Sequence, residues 1–244
     1  MRAVLAAGAL ILVSAAARAD GIDDANSAVR AAQAGQYDEA IQHFTDAINS
    51  NELNLTSRAQ AFAYRGIAKA TTGDYGGAKG DLDLAVALDS PYNPESFAYR
   101  GLIEMVTGEP DKAAADLAKS ARMKIWSYNV LWLALARAKA HVPDTDDVSL
   151  KANAAMLKTD AWPGPVLKFL MGEGKREALE PTAQTGDPAR IAERVCDVDF
   201  YTAEFDLAHG DAATAKPHLA RAADKCPFAS FERMGATAEL MRMK

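Results

Sequence analysis

One short block occurs twice in this chain at a fixed distance. Ala63-Tyr64-Arg65-Gly66 returns as Ala98-Tyr99-Arg100-Gly101, 35 residues later. Each copy leads to a second shared block. Gly73-Asp74-Tyr75 precedes Ala78, Asp81-Leu82 and Ala85, and Gly108-Glu109-Pro110 precedes Ala113 and Asp116-Leu117. Upstream, Gly35-Gln36-Tyr37 precedes Ala40, Phe44 and Ala47 at the same spacings. Near the C-terminus, Gly210-Asp211-Ala212 precedes Ala215, Leu219, Ala222 and Pro227. A short unit that recurs at a fixed period cannot bury its apolar face alone. It stacks on its neighbours, so the repeat constrains the fold before any local propensity is considered.

Composition says what the repeat is made of. The chain carries 52 alanines among 244 residues, against 19 valines and isoleucines together. Alanine is the best helix former and β-branched residues favour strands, so a mostly β protein is excluded. The pattern resembles the tetratricopeptide repeat, a 34-residue pair of antiparallel helices. The resemblance rests on a small residue at repeat position 8, Gly-x-aromatic at 15–17, Ala at 20, a large apolar residue at 24, a small one at 27 and Pro near 32. In that register the repeats span about 21–54, 59–92, 94–127 and 196–229. Repeat 1 has Ala28 at position 8. Repeat 3 has Pro110 for the aromatic and Ser120 at position 27, and only repeat 4 has the proline, Pro227. The resemblance implies an all-α, right-handed solenoid of helical hairpins with a C-terminal cap helix. Small residues at 8, 20 and 27 let the two helices of a repeat touch, which accounts mechanically for much of the alanine.

Residues 1–19 read as a secretory leader. Arg2 supplies the positive start, Val4 to Val13 the apolar run, and Ala17-Arg18-Ala19 the small-x-small cleavage pattern. Cleavage after Ala19 predicts an exported protein, periplasmic or secreted. No cysteine lies near the cleavage site to carry a lipid, and no later stretch is long and apolar enough for a membrane span. The chain holds 27 basic residues against 33 acidic ones, and Arg2 and Arg18 belong to the leader. An acidic chain without basic clusters argues against nucleic-acid binding.

Between repeats 3 and 4, residues 128–190 are helical but off-pattern. Trp126 to Ala140 reads as an apolar helix ended by Pro143. Asp144 or Thr145 is placed to cap a helix to about Lys158. Trp162-Pro163-Gly164 turns into a short helix over 165–171, and another follows at about 175–183. Residues 191–244 hold the last repeat and, over 228–242, a solvating cap helix. The order of Leu131-Trp132-Leu133, the Trp-Pro-Gly turn, Val166 to Gly172, Phe200-Tyr201-Thr202-Ala203, Gly210-Asp211, Phe231-Glu232 and Ala238-Glu239-Leu240 resembles the NlpI-type bacterial envelope tetratricopeptide proteins. That resemblance implies a non-catalytic adaptor whose partners are cell-wall hydrolases or a periplasmic protease.

Four sets of residues bear on function and stability. Repeat positions 7 and 23 change together. Arg65 stands with Asp81 and Arg100 with Asp116, whereas Ser27 stands with His43 and Thr202 with His218. The expected contacts are two ion pairs and two hydroxyl–imidazole bonds. Cys196 and Cys226 fall at the open end of the last hairpin and an exported chain meets an oxidising environment, which predicts a disulfide; two buried thiols are the alternative. The concave face of this repeat type places Ala25 and Val29, then Ala63, Ile67 and Ala70, then Ala98, Leu102 and Met105 in one groove. No Lys or Arg stands among the groove positions of repeats 1–3. The groove suits an amphipathic helix or an apolar peptide. The chain's own middle helices, 126–171, are the competing occupant. Repeat 4 differs there, with Asp197, Phe200, Glu204, Leu207 and Ala208. No nucleophile elbow, phosphate loop, dinucleotide fingerprint or metal-ligand spacing is present, so no enzyme, cofactor or metal is expected. The favoured function is therefore a protein-binding adaptor, with a self-associating homo-oligomer as the alternative and an enzyme with an unrecognised site as a remote one.

Overall fold

The computed structural model describes residues 20–89, 93–157 and 161–244. The leader expected over 1–19 lies outside the described residues. The described chain is all-α, as the repeat predicts. In order it runs α1 (Asp20–Gln33), α2 (Tyr37–Asn49), α3 (Leu55–Thr71), α4 (Tyr75–Asp89), α5 (Pro94–Thr107), α6 (Pro110–Met123), α7 (Ser127–Ala140), α8 (Leu150–Ala154), α9 (Gly164–Leu170), α10 (Leu179–Ala183), α11 (Ile191–Ala208), α12 (Ala212–Lys225) and α13 (Phe231–Arg242). No described helix is long and apolar enough to cross a membrane. The chain divides into two compact units, with the boundary between Ile103 and Glu104.

In the first unit α1 packs on α2, α3 on α2, and α3 on α4. The turn inside each hairpin has a backbone cause. Gly35 and Gly73 hold φ of 79° and 91°, and no atom lies within 4 Å of a Cβ built on either. Glycine is there for the left-handed conformation, not for want of space. Gly66 is the opposite case. A Cβ on it would come within 3.0 Å of the Ala78 carbonyl oxygen and 3.1 Å of Leu82 Cγ. The α3 backbone thus lies directly against α4, and Ala78, Leu82 and Ala85 are buried beside it. Asn54 caps α3 by accepting from the Ser57 amide at 2.8 Å, so the helix begins ahead of the repeat's first position.

In the second unit α6 packs on α7, α11 on α12, and α12 on α13. Cys196 and Cys226 form a disulfide that ties the start of α11 to the end of α12. Helix α13 corrects the reading of a solvating cap. Phe231, Met234, Gly235 and Ala236 are buried, and the helix touches α11 as well as α12. A Cβ on Gly235 would fall 2.9 Å from the Phe200 ring, so that glycine admits the ring between the helices.

The middle segment is less helical than expected. Helix α8 covers only Leu150–Ala154 and is capped by Ser149, not by Asp144 or Thr145. Arg137 is the reason. Its guanidinium is almost fully buried on α7 and donates to Asp144 Oδ1 at 2.5 Å, Asp146 Oδ2 at 2.7 Å and the Val148 carbonyl at 3.3 Å. Asp144 also accepts from the Leu150 amide and Asp146 from the Val148 amide. The carboxylates that would have opened a helix instead wrap the loop around one buried cation.

If α3 and α4 meet through Gly66, a larger side chain there must separate them. Gly66→Leu is expected to lower stability by about 1–3 kcal/mol through overpacking, read by urea denaturation. An unchanged midpoint would contradict the close approach.

Candidate protein-binding site

The groove residues of the first unit lie on the first helix of each hairpin. Ala25 on α1, Ala63, Ile67 and Ala70 on α3, and Ala98 and Leu102 on α5 are all buried. Val29 is half-buried, as are Ile22 on α1, Gln60 on α3 and Glu95 on α5, and Gln33 at the end of α1 is exposed; these are the accessible groove positions of the first unit. Met105 is buried too but belongs to the second unit. The small-residue face is therefore enclosed, with only its rim open.

Arg65 of α3 donates from Nε and Nη2 to both carboxylate oxygens of Asp81 at 2.8 and 2.7 Å, and from Nη1 to Thr45 Oγ1 of α2 at 3.0 Å. Lys69 adds a second cation 2.9 Å from Asp81 Oδ2. The sequence pattern did not single out Lys69 or Thr45. Arg100 reaches back to Asp83 of α4 at 2.9 Å; Asp116 is buried on α6, in the second unit.

The two hydroxyl–imidazole bonds are corrected. His43 faces Asp24 at 3.7 Å and Glu39 at 3.8 Å, while Ser27 accepts from Arg30 of its own helix. His218 Nδ1 lies 2.8 Å from Asp199 Oδ1, and Asp199 also accepts from Arg221 at 2.6 Å. Thr202 donates to the Val198 carbonyl one turn back, as mid-helix threonines do. For His218 the carboxylate is the stronger partner; His43 makes no hydrogen bond through Nδ1, since Asp24 at 3.7 Å is too far for one.

The second unit holds acids where the first-unit groove, apart from Glu95, has apolar or neutral polar residues: Asp197 stands at the position of Ile22 and Gln60, and Glu204 at that of Val29, Ile67 and Leu102. Asp197 and Glu204 of α11, and Glu232 of α13, are buried. Asp197 Oδ2 accepts from Tyr128 Oη at 2.8 Å and from Trp162 Nε1 at 2.7 Å, and Tyr201 Oη donates to Glu232 at 3.2 Å. Burial, then the nearby Glu232 carboxylate, push Asp197 up to about 7 against those two hydrogen bonds. The Tyr128 and Tyr201 phenols are raised by burial and by the same acids. Further along, Lys139 of α7 sits 2.8 Å from Glu204 Oε2 and also contacts Glu239. Arg242 pairs with Glu239 at 2.6 Å and donates to the Val106 carbonyl at 3.0 Å. Burial raises Glu204, which Lys139 only partly offsets. For Glu239, burial is outweighed by the bonds from Arg242 and Lys139, and its carboxyl is held low. Among the described residues no three His, Cys, Asp or Glu side chains gather as metal ligands.

Sequence reasoning placed Asp197, Phe200 and Glu204 on one face. It missed Tyr128, Trp162, Glu232 and Lys139, which come from segments outside the repeat register. Only the tryptophan of the Trp-Pro-Gly turn carried a signal.

No family model matches the chain, and no curated protein matches it. Among solved structures, the crystal structure at 2.39 Å resolution of a tetratricopeptide repeat protein from Parabacteroides merdae ATCC 43184 is similar. The TM-score is 0.52 at 15% identity, over 87% of this chain and 82% of that one. The likeness shows the fold, a tetratricopeptide-like arrangement of helical hairpins.

Two outcomes follow from the geometry. Because Lys69 still pairs with Asp81, Arg65→Met is expected to cost about 1–3 kcal/mol, less than an orphaned buried charge would. Arg65→Met with Lys69→Met is expected to cost more than either alone, read by thermal denaturation. Asp197 binds its proton more tightly in the folded state than the ordinary value of about 4. Its contribution to stability is then fully present below about pH 4 and is lost as pH rises to about 7 and beyond. Asp197→Asn keeps an oxygen for Tyr128 and Trp162 but has no proton to lose. It is expected to be the more stable form at pH 8, by on the order of a few kcal/mol, with the difference vanishing near pH 4. Parallel urea titrations at pH 4, 6 and 8 check this.

Proposed function

We propose that this protein is a non-catalytic scaffold that binds another protein or peptide, and that it works outside the cytoplasm. The observation that carries the reading is the tetratricopeptide-like stack of hairpins, an architecture that presents long faces built from many helices. Export is supported by the leader pattern of residues 1–19 and by the Cys196–Cys226 disulfide, a bond that persists in oxidising compartments.

In this reading the partner engages the first unit along α1 and α3. It docks on the rim of Ile22, Val29 and Gln60 and opens the enclosed face of Ala25, Ala63, Ile67, Ala70, Ala98 and Leu102. A face of alanines and single branched residues has low relief and no cation. It accepts an apolar segment and gives no grip to a peptide's terminal carboxylate. The acidic balance of the chain favours partners with basic surroundings, mainly through the rate of encounter. By resemblance to the NlpI-type proteins, such partners are a cell-wall hydrolase or a periplasmic protease.

Affinity capture from an envelope extract tests the reading, with wild type beside Val29→Glu, Ile67→Glu and Leu102→Glu. Each variant is checked for retained helicity. Loss of the same captured proteins in the folded variants is the expected result. An identical captured set with all three would refute the face as the binding site. Light scattering on the purified protein separates a scaffold from a self-associating chain, which would run as a dimer or larger at every concentration.

A further inference from the structure

The second unit contains an open pocket that no proposed contact uses. It has a volume of about 210 Å³ and lies between α7, the loop that follows it, α9 and the end of α11. Its walls are Leu135, Val142, Leu150, Leu170 and Phe205. The space exists because α7 and α11 face it with Ala134, Ala138 and Ala208, where larger side chains would have closed it. An apolar cavity of about 150 Å³ in another protein stays dry and takes up benzene, so this one has room for one or two fused rings.

Its polar edge is almost wholly spent. Arg137 donates to Asp144, Asp146 and the Val148 carbonyl, and the second oxygen of Asp144 holds the Leu150 amide. His209 is the exception. Its Nδ1 lies 2.7 Å from the Phe205 carbonyl, and its ring stacks 4.1 Å from the Phe205 ring. A carbonyl can only accept, so Nδ1 carries the hydrogen, and in the neutral ring Nε2 is then the acceptor. The pocket thus combines apolar walls with an exposed imidazole at its edge that has one acceptor nitrogen in its neutral form.

We propose that this pocket is a ligand site for a compact aromatic group carrying one N–H or O–H donor, of the size of indole or phenol, whose donor bonds to His209 Nε2. The group arrives either as a free small molecule or as a tryptophan or tyrosine side chain of a bound peptide. The site lies wholly within the second unit and does not rely on the α1–α3 face, so the two stand or fall separately.

The test titrates the full chain, methyl-labelled for NMR, with indole, with its N–H-free isostere indene, and with N-acetyl-tryptophanamide. Indole is expected to shift the methyls of Leu135, Val142, Leu150 and Leu170 and to leave those of Leu82 and Leu117 in place. It should bind about three- to tenfold more tightly than indene, the ratio one hydrogen bond sustains. His209→Phe keeps the ring against Phe205 and should remove that preference without removing binding. Ala208 is exposed at the last position of α11, so Ala208→Phe is compatible with folding; it should weaken both probes at least tenfold by filling the mouth. Binding of N-acetyl-tryptophanamide as tight as indole assigns the site to a peptide side chain. Binding of indole alone assigns it to a free molecule. The proposal is overturned if indole up to its solubility limit moves none of the four methyls, or if Ala208→Phe leaves its affinity unchanged. An indole-over-indene preference that survives in His209→Phe overturns the role of His209.

Discussion

The architecture depends on helices that touch backbone to backbone. At Gly66 even one added carbon would press on the Ala78 carbonyl oxygen at 3.0 Å and on Leu82 at 3.1 Å. Ala40, Ala47, Ala78, Ala85, Ala113, Ala215 and Ala222, at the close-contact positions of the other helices, are all fully buried. Contacts this close leave few large side chains to interlock. Each hairpin therefore gains dispersion energy from short distances along its length as well as from the large residue between its helices, such as Phe44, Leu82, Leu117 and Leu219. Other alanines, Ala25, Ala63, Ala70 and Ala98, give the first-helix face of the first unit low relief.

Charge takes over where alanine stops. In the first unit one buried carboxylate, Asp81, is held by Arg65 and Lys69, and Arg65 extends the tie to Thr45 of the preceding hairpin. In the second unit Arg137 gathers Asp144 and Asp146 and thereby shapes the loop between α7 and α8. Both are cations with every nearby acceptor engaged, which is what makes a buried ion tolerable. Asp197 and Glu232 are different. Tyr128, Trp162 and Tyr201 serve them with neutral hydrogen bonds. These satisfy the oxygens but leave the charge in a poorly solvated place, and the raised Asp197 pKa is the direct consequence.

The apolar pocket and the acid cluster share an origin. Both are built from α7 and α11 together with pieces of the irregular middle segment, where the second helix of a regular hairpin is replaced by α8, α9 and turns. A regular second helix would have covered α7 along its length. The shorter pieces cover part of it, bring Trp162 to Asp197, and leave the space beside Ala134 and Ala138 open.

By itself the sequence determined the hairpin, because its causes are local and periodic. A glycine at the turn, small residues where helices meet and a large apolar residue between them recur at fixed spacing, and each acts within one repeat. It also placed Arg65 beside Asp81, since positions 7 and 23 face each other across any such hairpin. The partners of His43 and His218 needed more. Their choice among Ser27, Asp24, Thr202 and Asp199 turned on distances within one turn of helix, which spacing alone does not resolve. Lys139, Glu232 and Trp162 lay beyond reach altogether. They belong to segments without a register, and only packing of the second unit brings them to α11. Tertiary structure decided the buried chemistry because a carboxylate's charge, unlike a helix contact, depends on everything around it and not on one neighbour at a fixed step along the chain.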